Sequence, residues 1–361
     1  MITISLCLIV KNEEEVLERC LDSAAHLADE VILLDTGSDD GTKAIAAGYS
    51  CRIYDFPWID DFAAARNKAF SYATGDYIFW LDADDVLTPE DQQKFRKLKE
   101  TLAKDVDVVT MPYHLAFDEY GNVSFSLRRN RLVKRSRHFQ WRGRVHEYLE
   151  VSGTIIHSDV AVVHKSKHNG EGAPSDRNLR IYRTMIKDGQ NFTPRDLYYY
   201  GNELVDHKLY QEAIPVYEKF LQDNQGWVED NIACCGKMAD CYYNLGQKEK
   251  AVACVLRAFA FDTPRPEFCC RLGYHFLETG NYLAAVFWYT LATRAKPGDN
   301  FLAFTNQAAY TWLPHLQLCV CYSKLGAYRL AYLHNEAARH FRPEDPIMLS
   351  NKTFLEQMLS V

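Results

Sequence analysis

The 361-residue chain has no excess of positive charge, no Cys-x-x-Cys pair and no glycine-rich nucleotide loop. Nor does it have an apolar run near the roughly 20 residues that cross a bilayer. Each absence removes a class of function. The 41 Lys and Arg against 48 Asp and Glu leave a net charge of -7, the wrong balance for collecting phosphates from nucleic acid or anionic lipid. Short apolar runs such as Leu6 to Val10 and Tyr77 to Leu81 fit buried strands. The N-terminal stretch lacks a positive leader and runs straight into Lys11-Asn12-Glu13, so it reads as a strand and not as a signal peptide. Eleven cysteines, an odd number, lie at positions such as Cys234-Cys235, Cys269-Cys270 and Cys319-x-Cys321. That usage excludes a zinc ribbon or thioredoxin motif and suits a cytoplasmic chain whose thiols act as small hydrophobes.

The sequence changes texture near residue 190, and two domains are expected, 1–190 and 191–361. In the first, Ile2 to Val10, Glu30 to Asp35, Arg52 to Phe56 and Tyr77 to Leu81 read as strands. Helical stretches such as Glu13 to Ala28 separate them. Near-continuous apolar strands alternating with helices predict an α/β domain with a mostly parallel sheet covered on both faces. Such sheets bind ligands beyond the carboxyl ends of their strands. The second domain reads as all-α. Gly246, Gly280 and Gly326 are each followed at fixed offsets by two Ala residues, the latter two also by Tyr and Pro, and Gly201 heads a weaker first copy. The 34-residue step from Gly246 to Gly280 is the tetratricopeptide period. The longer step to Gly326 places an insertion around residues 298–311. Arrays of this kind present a curved surface that mostly holds polypeptide.

The chemistry gathers at strand ends. In Trp80-Leu81-Asp82-Ala83-Asp84-Asp85 a buried strand runs into three carboxylates. Strand alternation would point Asp82 and Asp84 the same way, a placement that suits a hard divalent cation such as Mg²⁺ or Mn²⁺. A solvated turn capping the helix at Thr88-Pro89-Glu90 is the plainer account. The calcium-loop, Walker and G-x-G-x-x-G spacings are all absent. Asp35, at the end of Val31 to Asp35, can accept a bond from a base N–H or serve as a turn-forming Asp. Glu13 can accept bonds from a ribose. His157, His164 and His168 form a metal group by composition only, and scattered structural histidines account for them better.

Taken together, Leu-Ile-Val-Lys-Asn-Glu-Glu, Val-Ile-Leu-Leu-Asp-Thr-Gly-Ser-Asp-Asp-Gly-Thr, Phe-Ala-Ala-Ala-Arg66-Asn67 and Trp-Leu-Asp82-Ala-Asp84-Asp85 resemble family 2 of the glycosyltransferases. The four motifs occur in the family's order over roughly residues 1 to 90. The resemblance implies a GT-A fold and an inverting, metal-dependent hexosyltransferase acting on a nucleotide-sugar, commonly a UDP-sugar. The added repeats resemble a bacterial subgroup, some of whose members glycosylate bacteriocin-like peptides.

Carried residue by residue, the resemblance places Val10, Asn12 and Glu13 along the nucleotide, with Glu13 on the ribose. Asp35 falls on the base, Arg66 along the nucleotide, Asp82 near the ribose or metal, and Asp84 on the metal. The segment from Arg128-Arg129-Asn130-Arg131 through Trp141-Arg142-Gly143-Arg144-Val145-His146-Glu147 resembles the one that completes the subgroup's acceptor side. There His146 is expected on the metal or diphosphate, and Glu147 is expected to take a proton from the acceptor. Asp118 and Asp159 are alternative bases. Arg66 as a surface residue and Glu147 as an ion-pair partner are the structural alternatives. A peptide or protein acceptor held by the repeats is expected. A cell-envelope saccharide or lipid-linked acceptor, a catalytically decayed scaffold and a nucleotidyltransferase are the rivals. No nucleic-acid partner and no transmembrane segment are expected, and a homodimer is left open.

Overall fold

A computed structural model of the protein describes residues 1–167, 175–223, 225–295 and 305–360. The chain divides into two compact units. The first comprises Met1–Phe117 and Phe125–Gln190; the second comprises Asp118–Ser124 and the described residues from Asn191 onward.

The first unit opens with β1 (Ile4–Val10), α1 (Leu17–Ala24), β2 (Glu30–Asp35), α2 (Thr42–Gly48), β3 (Arg52–Asp55), α3 (Phe62–Ser71) and β4 (Tyr77–Trp80). Next come β5 (Asp85–Val86), α4 (Pro89–Thr101), β6 (Val108–Phe117), β7 (Val123–Lys134), β8 (Gln140–Arg142), β9 (Tyr148–Glu150), β10 (Ile155–His157), β11 (Val162–His164) and α5 (Asp176–Lys187). The sheet runs β3-β2-β1-β4-β7-β6-β11-β5. Pairing is parallel from β3 through β4 and antiparallel at β4/β7 and β5/β11.

Both faces of the central strands are buried, and the period-two alternation divides their side chains between two cores. Ile4, Leu6, Leu8 and Val10 of β1 join Leu33 and Phe79 under α1 and α4. Cys7, Ile32, Leu34, Ile78 and Trp80 point the other way, towards Ala63, Ala65 and Ala69 of α3 and Trp141 of β8. Because β1, β2 and β4 are parallel, the residues that follow them emerge along one rim.

The second unit pairs helices α6 (Pro194–Asp206) with α7 (Tyr210–Asp223), α8 (Val228–Asn244) with α9 (Lys248–Arg257), and α10 (Pro266–Glu278) with α11 (Tyr282–Arg294). After a one-turn helix, α12 (Gln307–Tyr310), come the pair α13 (Trp312–Lys324) and α14 (Tyr328–Arg339) and the terminal α15 (Pro346–Leu359). Thr305 to Thr311 is the described part of the expected insertion; Gly298 and its neighbours lie outside the described residues.

Each first helix of a pair ends in the same cap. The amides of Leu209, Gln247, Asn281 and Ala327 reach back to the carbonyls of Leu204, Tyr242, Phe276 and Tyr322 at 2.8 to 2.9 Å. The residue before each stands at positive φ, and three of the four are Gly246, Gly280 and Gly326. The fourth is Lys208, at φ 60°. This corrects the register of the first copy, because Gly201 lies inside α6. A Cβ there would sit 2.4 Å from the Tyr217 ring. Gly273 meets Tyr289 in the same way at 2.7 Å, so Gly201 is the equivalent of Gly273.

Replacing Lys208 with Gly removes the left-handed strain of a side-chain-bearing residue. The variant should gain about 1 kcal/mol, measured by urea unfolding. A variant no more stable than the parent would show that the turn is not strained.

Candidate active site

The loops after β1 and β2 are bonded to each other. The Asn12 amide donates to Ser38 Oγ (3.0 Å), the Glu13 amide to Thr42 Oγ1 (2.7 Å) and the Asp39 amide to Asn12 Oδ1 (3.0 Å). Asn12 takes the left-handed conformation at φ 56°, which asparagine tolerates better than most residues. The Val10 carbonyl accepts from both the amide (2.9 Å) and the hydroxyl (3.0 Å) of Thr36.

Asp35 is buried, with its carboxylate turned onto the amides of Gly37 (3.2 Å) and Ser38 (3.1 Å) and paired with Lys43 (3.3 Å). Burial pushes its pKa up, but the bonds from Ser38, Gly37 and Lys43 outweigh that and hold it below the ordinary carboxylate value. Accepting from residues two and three ahead is what a turn-forming Asp does, so Asp35 builds this loop whatever else it binds. Glu13 pairs with Lys167 (3.0 Å). Burial, aided by Asp84 and Asp40, keeps its pKa raised against the pull of Lys167.

The chain leaves β4 at Trp80 and turns. The Asp85 amide donates to the Asp82 carbonyl (3.0 Å), and the Asp82 amide donates to Asp85 Oδ2 (3.0 Å). Strand alternation therefore stops before the first aspartate, and the expectation that Asp82 and Asp84 share a face is corrected. Asp82 goes to Arg66, whose Nη2 lies 2.6 Å from Asp82 Oδ1. Asp84 goes to His164, with Oδ1 3.5 Å from Nδ1. Asp85 is fully buried, paired through Oδ2 with Arg131 (2.9 Å).

Arg66 is not a surface residue. Its guanidinium is 9% exposed, stacks near Trp80 and Trp141, and also binds Glu147 Oε1 through Nε at 2.5 Å. Burial favours a protonated Asp82, but Arg66 and then Arg131 outweigh it and hold the carboxyl down at about 2. Glu147 is thus an ion-pair partner of α3, anchored within the same group as Asp82.

Among the described residues, one group of three or more His, Cys, Asp and Glu side chains has ligand atoms close enough to share an ion: Asp84, Asp85 and His164, within 4.8 Å of one another. Asp82 and His146, expected as metal ligands, stand outside it. Asp82 is taken by Arg66; His146 occupies a left-handed turn at φ 50°. His164 enters because β11 pairs antiparallel with β5, which sets it opposite Asp85. No sequence spacing could have announced a two-residue strand pairing across 79 positions. His157 instead bonds Thr110 Oγ1 (2.7 Å), and His168 lies outside the described residues. Of the alternative bases, Asp118 caps the turn after β6 by accepting from the amides of Tyr120 (3.0 Å) and Asn122 (2.8 Å), and Asp159 is exposed.

The three-residue group fits a divalent cation. Two carboxylates and an imidazole form a suitable donor set, and Asp85 Oδ1 is a buried oxygen that accepts no hydrogen bond. Asp84, then Asp85, raise the His164 pKa to about 10, so binding a cation there requires the imidazole to give up a proton.

The Arg66–Asp82 pair should carry a pH signature. Asp82 has a lowered pKa, so its contribution is present above the ordinary carboxylate value and is lost as pH falls through about 2. The stability gap between the parent and Asp82→Asn should be widest above about pH 4 and should narrow steadily below it, as followed by urea unfolding without metal. A gap that does not change with pH would contradict the ion pair.

Comparison with known proteins agrees with this architecture. Residues 5–170 match the family described as glycosyl transferase family 2, and residues 232–262 match a tetratricopeptide repeat. The glycosyltransferase SunS of Bacillus subtilis, derived from prophage SPbeta, is 30% identical over 239 residues, covering 61% of this chain and 54% of SunS. A TPR repeat-containing protein of Synechococcus elongatus is 51% identical over 90 residues, 25% of this chain and 22% of that one. The lipopolysaccharide core biosynthesis glycosyltransferase LpsC of Rhizobium meliloti is 29% identical over 164 residues, 42% of this chain and 58% of LpsC. The chain thus spans less than two thirds of each of these relatives. Its first unit matches the glycosyl transferase family 2 model over residues 5–170, and its helical second unit matches a tetratricopeptide repeat over residues 232–262.

Proposed function

We propose that the protein is an inverting glycosyltransferase that moves a sugar from a nucleotide-sugar, a UDP-sugar in the first instance, to a peptide or protein acceptor. The observation that carries this reading is the assembly, on one rim of a family 2 domain, of the Asp84–Asp85–His164 group and the Asp82–Arg66–Glu147 chain.

The cross-bonded loops after β1 and β2 would take the nucleoside, with Val10, Asn12 and Glu13 on one side and Asp35 on the other. Asp84, Asp85 and His164 would hold Mn²⁺ or Mg²⁺, which when bound supplies Lewis-acid stabilisation of the departing diphosphate. Arg66 fixes the positions of Asp82, which faces the donor, and of Glu147, the base that takes the acceptor's proton. One oxygen of Glu147 is anchored, so the carboxylate is oriented before the acceptor arrives. A thiol acceptor, with a pKa near 8.5, would ask less of that base than a hydroxyl. His146, one residue before Glu147, is placed on the acceptor or diphosphate side.

The repeats support a polypeptide acceptor, since such arrays mostly hold peptides or proteins. The likeness to LpsC favours a saccharide acceptor as the second reading. No helix among the described residues is long and apolar enough to cross a membrane.

The test is metal-dependent release of nucleoside diphosphate from a panel of nucleotide-sugars. Asp84→Ala should lower it by roughly 100-fold or more while leaving thermal unfolding near the parent's, because the residue is partly exposed and stabilises charge in the transition state. Glu147→Gln should keep donor binding and lose transfer to acceptor. Pyrophosphate as product would replace the proposal with a nucleotidyltransferase. Equal turnover in parent and Asp84→Ala would remove the metal assignment. Mass analysis of peptide and saccharide acceptors after incubation separates the two acceptor classes.

A further inference from the structure

Arg131 is among the largest side chains with no solvent exposure in the protein. Its guanidinium lies between the rings of Trp80 (4.0 Å to the centroid) and Tyr113 (4.4 Å). From there Nη1 reaches Asp85 Oδ2 (2.9 Å) and the Trp80 carbonyl (3.3 Å), while Nε and Nη2 have no hydrogen-bond acceptor. Across the pair, Asp85 Oδ1 accepts no hydrogen bond; the His164 ring, 3.9 Å away through Nδ1, is its ion-pair neighbour. Stability does not account for this arrangement. A fully buried ion pair with unmet donors is commonly matched or bettered by an apolar pair of the same volume.

What the pair does achieve is geometric. Arg131 and the Asp82 amide both bond Oδ2, so the carboxylate cannot rotate, and its second oxygen is left bare beside Asp84 and His164. A rigid, buried carboxylate oxygen that accepts no hydrogen bond is costly in an interior, and a cation bound beside it would relieve that cost. We infer that Arg131 is a positioning residue for the metal site, holding Asp85 so that Oδ1 completes the cation's ligand set with Asp84 and His164. Arg131 touches neither donor nor acceptor in this scheme and acts only through Asp85. The aromatic walls make the arginine specific, because a planar guanidinium stacks between two rings as a lysine ammonium does not.

The inference rests on the metal reading above, so the experiment reads metal binding directly. Mn²⁺ is titrated into the full chain and followed by the electron paramagnetic resonance signal of free Mn²⁺, without any sugar donor. The parent should bind, and Asp84→Ala should not. Absence of binding by the parent would overturn the metal reading, and this inference with it. Arg131→Lys should keep the fold by circular dichroism yet bind Mn²⁺ at least tenfold more weakly. Any signal of its bound Mn²⁺ should differ from the parent's, because one ligand oxygen is no longer fixed. If Arg131→Lys fails to fold, Arg131→Gln carries the same measurement, since its neutral amide can still donate towards Asp85. A folded Arg131 variant with Mn²⁺ affinity within twofold of the parent would overturn the role of Arg131 while leaving the metal site standing.

Discussion

The Arg66 guanidinium, held by two carboxylates and lying against two indole rings, is the interaction on which the rim of the first unit depends. It brings together three segments that the chain supplies separately: α3, the turn after β4, and the stretch ending in Val145-His146-Glu147. Taking such a group out of water is expensive, and the cost is met by two carboxylates on its N–H groups and by the neighbouring indole rings of Trp80 and Trp141. The pairing leaves Asp82 and Glu147 both oriented and joined through one bridging side chain.

A comparable logic runs through the loops after β1 and β2. Neither loop is glycine-rich, and neither offers a ready-made phosphate cradle. They are shaped by side-chain hydroxyls and amides that satisfy each other's backbone: Ser38 for Asn12, Thr42 for Glu13, Asn12 for Asp39. These two loops are therefore ordered by one another, which would lower the conformational cost of holding a ligand there.

Much of this was legible in the sequence, for identifiable reasons. Apolar strands with both faces buried gave the parallel half of the sheet, and the residues following β1, β2 and β4 were found because parallel strands deliver their ends to one edge. The repeat was legible because glycine at positive φ recurs after α8, α10 and α13. It misled at the first copy, where Lys208 takes that conformation and Gly201 serves a close helix contact instead. What stayed hidden depended on tertiary pairing. His164 reaches Asp84 through a two-residue antiparallel ladder, and Glu147 meets an arginine 81 positions away, not one of its basic neighbours. The alternation rule failed at Asp82 because the strand had already ended at Trp80.

The ligand group drawn from the β4–β5 turn and the end of β11 also bears on folding. His164 is far in sequence from Asp84 and Asp85, so the three converge only once β11 has paired with β5, and an unfolded chain offers no comparable three-ligand set. On the proposed reading, ion capture and chain folding would be linked equilibria: each tenfold rise in free cation above its dissociation constant would add about 1.4 kcal/mol to the native state. The supply of the ion would then set the lifetime of this unit against proteolysis.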